Sequence, residues 1–156
     1  MSETTPPELP ENTVDVLNST RGGYNTLIGL RFTSASYEKV CAEVAVTPEL
    51  HQPYGLVHGG VYSSMIETLA SVGAAINAMP AGRSTAGLEN TTSFLKAVRS
   101  GTLYGEAVPL TRGKRTHVWD VTIRDDEKRL VATGRVRMIC LEQGAAVAGK
   151  TVGLGG

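Results

Sequence analysis

Between His58 and Met79 the chain carries one formally charged side chain, Glu67, in the otherwise small and apolar run GGVYSSMIETLASVGAAINA. A carboxylate in such surroundings is costly unless it is paired or hydrogen-bonded, and one retained there is a candidate general base or nucleophile. The bland alternative is a glutamate on an exposed stripe or in a subunit-interface network. Two glycines, Gly59 and Gly60, open the same run. At a helix start the backbone N–H groups lack intrahelical acceptors, the dipole end is positive, and glycine lets a substrate oxygen come close. That suits the oxyanion that forms in acyl transfer. Gly59 and Glu67 lie about 12 Å of helical rise apart, too far to meet one carbonyl within a chain, so a partner subunit would supply one of them. Ser71, one turn beyond Glu67, could hold the carboxylate or a water. Gln52 and His58 sit in the loop before the helix, where each on its own reads as a surface or capping residue. The cluster RGKR at 112–115 reads either as a solvated hairpin turn or as a place where cations meet phosphates.

The elements that must position these groups follow from periodicity. Val61, Met65, Leu69, Val72 and Ile76 step along one side of a helix from Gly59 to about Ala78, and Pro80 stops it. The rod is about 30 Å long. Apolar on nearly every face, it is expected to be buried on all sides. Strand-like runs occupy 27–35, 38–47, 84–95, 102–111, 116–124 and 129–141, with hairpin turns at Ser36-Tyr37, near Gly113 and at DDEK 125–128. Alternation puts Val40, Ala42, Val44 and Val46 on one face. One helix and six strands predict an α+β fold in which a curved antiparallel sheet wraps the helix. Residues 12–20 can form a short helix stopped by Gly22-Gly23. The segment 1–20 and the glycine- and alanine-rich tail 143–156 are expected to be flexible.

Composition narrows the function classes. The 156 residues suit one domain, 41% are hydrophobic and 19% charged, and 15 basic residues balance 15 acidic ones. No charge excess points to nucleic acid or to a membrane surface. The N-terminus MSETTPPELPENT is not a signal peptide, and no stretch is long and apolar enough to cross a bilayer, so a cytoplasmic protein is expected. Cys41 and Cys140 read as free thiols in strands. His51, His58 and His117 are scattered, so no metal site and no cofactor are expected, and His51 and His117 read as surface or interface residues.

The segment HQPYGLVHGGVYSSMIETLAS (51–71) resembles the signature of hotdog-fold thioesterases of the phenylacetic-acid-pathway (PaaI-like) branch. It is most similar to the 4-hydroxybenzoyl-CoA thioesterase type, whose active carboxylate is a glutamate. NTTSFLKAVRSG and RGKRTHVWDVTIRDDEKRLVATGRVRM extend the likeness over about residues 27–142. The resemblance implies a hotdog domain over 21–142 and hydrolysis of an aromatic or medium-chain acyl-CoA to free acid and CoA. Glu67 would be the nucleophile or general base, and the Gly59 N–H would polarise the carbonyl. Gln52 would assist there, Ser71 would orient water, and His58 would line the site. Asn90, Thr91 and Ser93 match the strand flanking the site, Lys96 matches a basic position that meets CoA phosphates, and Lys114, Arg115 and Thr116 match a turn that contacts the nucleotide. That turn is more basic here than in the 4-hydroxybenzoyl enzymes. Tyr62, Met65 and Phe94 could line an acyl pocket or belong to the core. The resemblance also implies a homodimer or homotetramer with the site between subunits. Two other readings are an acyl-CoA-binding module without turnover, and a hotdog hydratase, for which only His58 and Glu67 could form the acid–histidine pair.

Overall fold

A computed structural model of the protein describes residues 8–151. The elements in chain order are α1 (Thr13–Ser19), α2 (Gly22–Leu27), β1 (Arg31–Ala35), β2 (Val40–Ala45), α3 (Gly59–Ala78), β3 (Ser84–Phe94), β4 (Thr102–Arg112), β5 (Thr116–Arg124), β6 (Leu130–Leu141), β7 (Ala146–Val147) and β8 (Lys150–Thr151). The first six strands form one sheet in the order β1-β2-β4-β5-β6-β3, every neighbouring pair antiparallel. This is the α+β hotdog architecture. The helix α3 lies against five of the six strands.

Alternation decides which side chains meet α3. Val40, Ala42 and Val44 of β2, Leu103 and Ala107 of β4, Trp119, Val121 and Ile123 of β5, and Val136 and Met138 of β6 are all buried. From α3 they meet Val61, Tyr62, Met65, Ile66, Leu69, Ala70 and Ala74. Glycines at the contact bring helix and sheet close. A Cβ at Gly73 would lie 2.6 Å from the Trp119 ring, one at Gly105 2.5 Å from Leu69 Cδ1, and one at Gly134 2.7 Å from Ile66 Cγ2. Trp119 is fully buried and has little room to yield. Gly73→Ala is therefore expected to lower the Tm. Overpacking against a fixed ring costs about 1–3 kcal/mol, against the ~1 kcal/mol that alanine gains in helix propensity. A thermal melt with an unchanged or raised Tm would show that the ring moves aside.

Three expectations change. First, α3 is not enclosed on all sides. Its flank of Ser63, Ser64, Glu67, Thr68, Ser71 and Ala75 is half-buried, because the sheet covers only one side of the rod. Second, the run 27–35 is strand only from Arg31; Gly22 and Gly29, at φ +77° and +72°, bracket the short helix α2 instead of simply stopping α1. Third, the ends carry local structure: the short helix expected within 12–20 forms as α1, and the tail adds an unexpected hairpin. α1 packs on β1, where the Asn18 amide donates to Phe32 O at 3.0 Å and accepts from Phe32 N–H at 2.9 Å, filling the sheet edge as a strand would. In the tail, β7 and β8 pair as a small hairpin. Residues 1–7 and 152–156 lie outside the described residues. The opposite sheet edge, β3, pairs with no further strand among the described residues. No helix among them is long and apolar enough to cross a membrane.

Candidate active site

Glu67 stands on the half-buried flank of α3 and is held at both oxygens. Ser71, one turn on, donates to Oε1 at 3.2 Å. Asn90 of β3 donates through Nδ2 to Oε2 at 3.1 Å and to Ser63 O at 3.0 Å. Thr92 donates to Asn90 Oδ1 at 2.8 Å, so the amide nitrogen is left facing the carboxylate. Gly87 lies beside Glu67; a Cβ there would come within 2.7 Å of Oε1. Below the pair, Met138 Sδ is 3.9 Å from Ser71 Oγ.

A β-bulge makes this cluster. The register of β3 against β6 shifts between Gly87 and Glu89. Strict alternation would put Gly87, Glu89 and Thr91 on one face; the extra residue Leu88 turns Gly87, Asn90, Thr92 and Phe94 toward α3 instead. Asn90 therefore meets the carboxylate, whereas Thr91 and Ser93, expected beside it, face away and border a groove with Asp120, Thr133 and Arg135. Gly87, Thr92 and Ser63 are the site residues that sequence reasoning missed. The missing signal is the bulge, which no local pattern announces.

The start of α3 is built separately. His58 is the N-cap, and its Nδ1 accepts from the Gly60 N–H at 2.8 Å. That bond makes His58 first of all a shaper of the helix entry. Nothing among the described residues accepts the Gly59 N–H. The Phe94 ring packs directly over Gly59 and lies 6.0 Å from the Tyr62 ring. Phe94 is exposed, while Tyr62 and Met65 are core. Gln52 turns back on its own loop, its side-chain oxygen accepting from the Tyr54 N–H. Within one chain, then, Glu67, Ser71 and Asn90 come together, Gly59 and His58 stand at the helix start, and Gln52 stays in the loop before it.

The basic residues separate likewise. The Lys96 N–H donates to Val131 O, and Arg115 O accepts from the Cys140 N–H. These contacts lie near opposite ends of β6, about 30 Å apart at strand rise. Lys96 and Lys114–Thr116 cannot serve one phosphate cluster in a single chain. Lys114, Arg115 and Thr116 form an exposed turn closed by the Gly113 N–H donating to Thr116 O at 2.9 Å.

His117, expected at the surface or in an interface, is 5% exposed and lies in the interior of the chain itself. It belongs to the inward face of β5 and pairs in register with Met138. Burial, and then the charge of Arg112, lower its pKa from the ordinary histidine value. A histidine that resists protonation when folded but accepts a proton when unfolded contributes stability above about pH 6.5. That contribution is lost as pH falls toward the native pKa. The Tm is expected to drop on acidification below about pH 6.5, and His117→Gln should lack that part of the drop. Parallel melts of the two proteins test this; superimposable pH profiles would refute it.

The family model of the thioesterase superfamily matches residues 54–132, a span that contains α3, Glu67, Asn90 and the basic turn. The chain belongs to the thioesterase superfamily. It is a thioester hydrolase of the hotdog fold. Among its relatives, the Mycobacterium tuberculosis protein Rv1847 is 44% identical over 121 residues, which are 76% of this chain and 86% of that one. The 1,4-dihydroxy-2-naphthoyl-CoA hydrolase of Listeria monocytogenes is 33% identical over 113 residues, 72% of this chain and 91% of the relative. A solved variant of the thioesterase PA1618 from Pseudomonas aeruginosa is similar with a TM-score of 0.80 and 27% identity, over 86% of this thioesterase and 97% of that chain.

Proposed function

We propose that this thioesterase hydrolyses an acyl-CoA, aromatic or medium-chain in its acyl part, with Glu67 as the reacting carboxylate. The observation that carries the reading is the fixed geometry of Glu67. Ser71 and Asn90 hold one oxygen each, and the side-chain-free Gly87 leaves room beside it. Both oxygens keep lone pairs free for chemistry after these bonds are made.

Two routes use the same atoms. In one, a Glu67 oxygen attacks the thioester carbonyl, CoA thiolate leaves, and water hydrolyses the resulting mixed anhydride. In the other, Glu67 takes a proton from a water as that water attacks the carbonyl. In both, negative charge builds on the carbonyl oxygen and needs a donor. The unpaired Gly59 N–H at the positive end of α3 suits it. That donor would come from a second copy of the chain, because Gly59 and Glu67 are about 12 Å apart along one helix. The unpaired edge of β3 supports such a homodimer, alone or within a tetramer. Gln52 and His58 would travel with Gly59 to the carbonyl side. Lys114 and Arg115, exposed in their turn, would meet CoA phosphates. The Listeria relative, a hydrolase of an aromatic CoA thioester by name, supports this substrate class.

The test is thiol release from a panel of aromatic and aliphatic acyl-CoAs, run on the wild-type protein and on Glu67→Gln. Turnover of at least one acyl-CoA that the variant loses is the expected result. A panel without turnover, or a variant as active as wild type, would sink the reading.

A further inference from the structure

We propose that the short helix α2 is the wall that selects the acyl group, through Tyr24 and Leu27; the inference rests on Glu67 being the reacting carboxylate. At 100° per residue, Ser64 and Thr68 form one row on α3, and Glu67 and Ser71 form the next. α2 is fastened to the first row. The Tyr24 hydroxyl and Ser64 Oγ share a hydrogen bond of 2.8 Å, and Thr68 Oγ1 donates to Asn25 Oδ1 at 2.8 Å. β3 is fastened on the other side, where Asn90 reaches Ser63 O and Glu67. The carboxylate row thus runs between the attachment of α2 and the attachment of β3.

The two sides differ in chemistry. On the β3 side, Gly87, Asn90 and Thr92 are occupied in placing the carboxylate. The row itself offers serine and alanine. On the α2 side, Tyr24 is 58% exposed and Leu27 is 80% exposed. Three residues apart, they share one flank of their helix. An exposed leucine and an exposed tyrosine ring, on a helix tied to the row of α3 beside Glu67, suit the apolar part of a thioester. The alternative, burying acyl carbons against the serines of α3, gains little. α2 is also held in an adaptable way. Glycines at positive φ, Gly22 and Gly29, flank it, and Ile28 anchors its end in the core. Changes at Leu27 therefore alter the wall without disturbing the sheet.

The experiment compares kcat/KM for acetyl-, hexanoyl- and benzoyl-CoA in wild type, Leu27→Ala, Leu27→Trp and Tyr24→Phe, with Glu67→Gln as control. Leu27→Ala should lower the hexanoyl-to-acetyl and benzoyl-to-acetyl ratios by about tenfold, the scale of a few methylene contacts in an apolar site. Leu27→Trp should move the two ratios in opposite directions, because a fixed indole fits a flat ring and a flexible chain differently. Tyr24→Phe keeps the ring but unties it from Ser64, so it should shift both ratios less than Leu27→Ala does. Dissociation constants of the matching thioether analogues should follow the same order. Ratios and dissociation constants that stay within about twofold across all variants, with Glu67→Gln inactive, overturn the wall alone. A fully active Glu67→Gln overturns the catalytic assignment and the wall with it.

Discussion

Glu67→Gln is expected to lower kcat for acyl-CoA hydrolysis by about 10²–10⁴-fold, the usual contribution of a positioned general base. Glutamine has nearly the shape of glutamate. Its carbonyl oxygen can still accept from Ser71 Oγ or from Asn90 Nδ2, the two donors now at 3.2 and 3.1 Å. The amide has no negative charge, however. It cannot take a proton from water at neutral pH, and it is a poor nucleophile toward a thioester. In the proposed mechanism the loss should fall on kcat with little change in KM, because the carboxylate would act on the reacting atoms while the other contacts of the substrate would remain. Glu67 is half-buried and on the helix surface, so the fold should survive; circular dichroism and a melt check this. A variant within tenfold of wild-type kcat would remove Glu67 from the chemistry.

Gly87→Ala should reproduce much of that defect without touching Glu67. The added methyl carbon would sit 2.7 Å from Oε1 and 3.7 Å from the carboxyl carbon, with no other atom within 4 Å. The clash is with the end of a flexible side chain. The glutamate can swing away at small cost in stability, and in swinging away it leaves the position that Ser71 and Asn90 define. Displacing a catalytic group by about 1 Å can cost about 10²-fold in rate. The expected signature is a large fall in kcat with a nearly unchanged Tm. In the double variant with Glu67→Gln the two losses should not add, because both act on the same carboxylate. Full additivity, or wild-type kcat in Gly87→Ala, would show that the space beside Oε1 is not used.

Both predictions depend on the bulge at Leu88, and this marks the boundary between what local sequence carries and what it cannot. Helical spacing from Val61 to Ile76, the stop at Pro80 and the single charge at Glu67 mark out α3 and its candidate reactive group, because a helix repeats every few residues and each repeat is visible in the chain. Alternation does the same for β2 and β5, where Val40 and Val44, and Trp119, Val121 and Ile123, face the helix. Asn18 and α2 are different. Each is set by partners far along the chain, Phe32 for Asn18, and Ser64 and Thr68 for α2.

What the sequence by itself determined is the fold class, the long helix and the acid at its middle, because these follow from short-range periodicity and from the cost of placing a charge among apolar neighbours. Tertiary structure alone decided which residues surround that acid. The register shift in β3 sends Asn90 and Thr92 to the site and Thr91 and Ser93 away from it. The antiparallel order of the sheet puts Lys96 and Lys114 at opposite ends. Register and strand order are contacts between distant segments, and a pattern read over neighbouring residues contains no term for them.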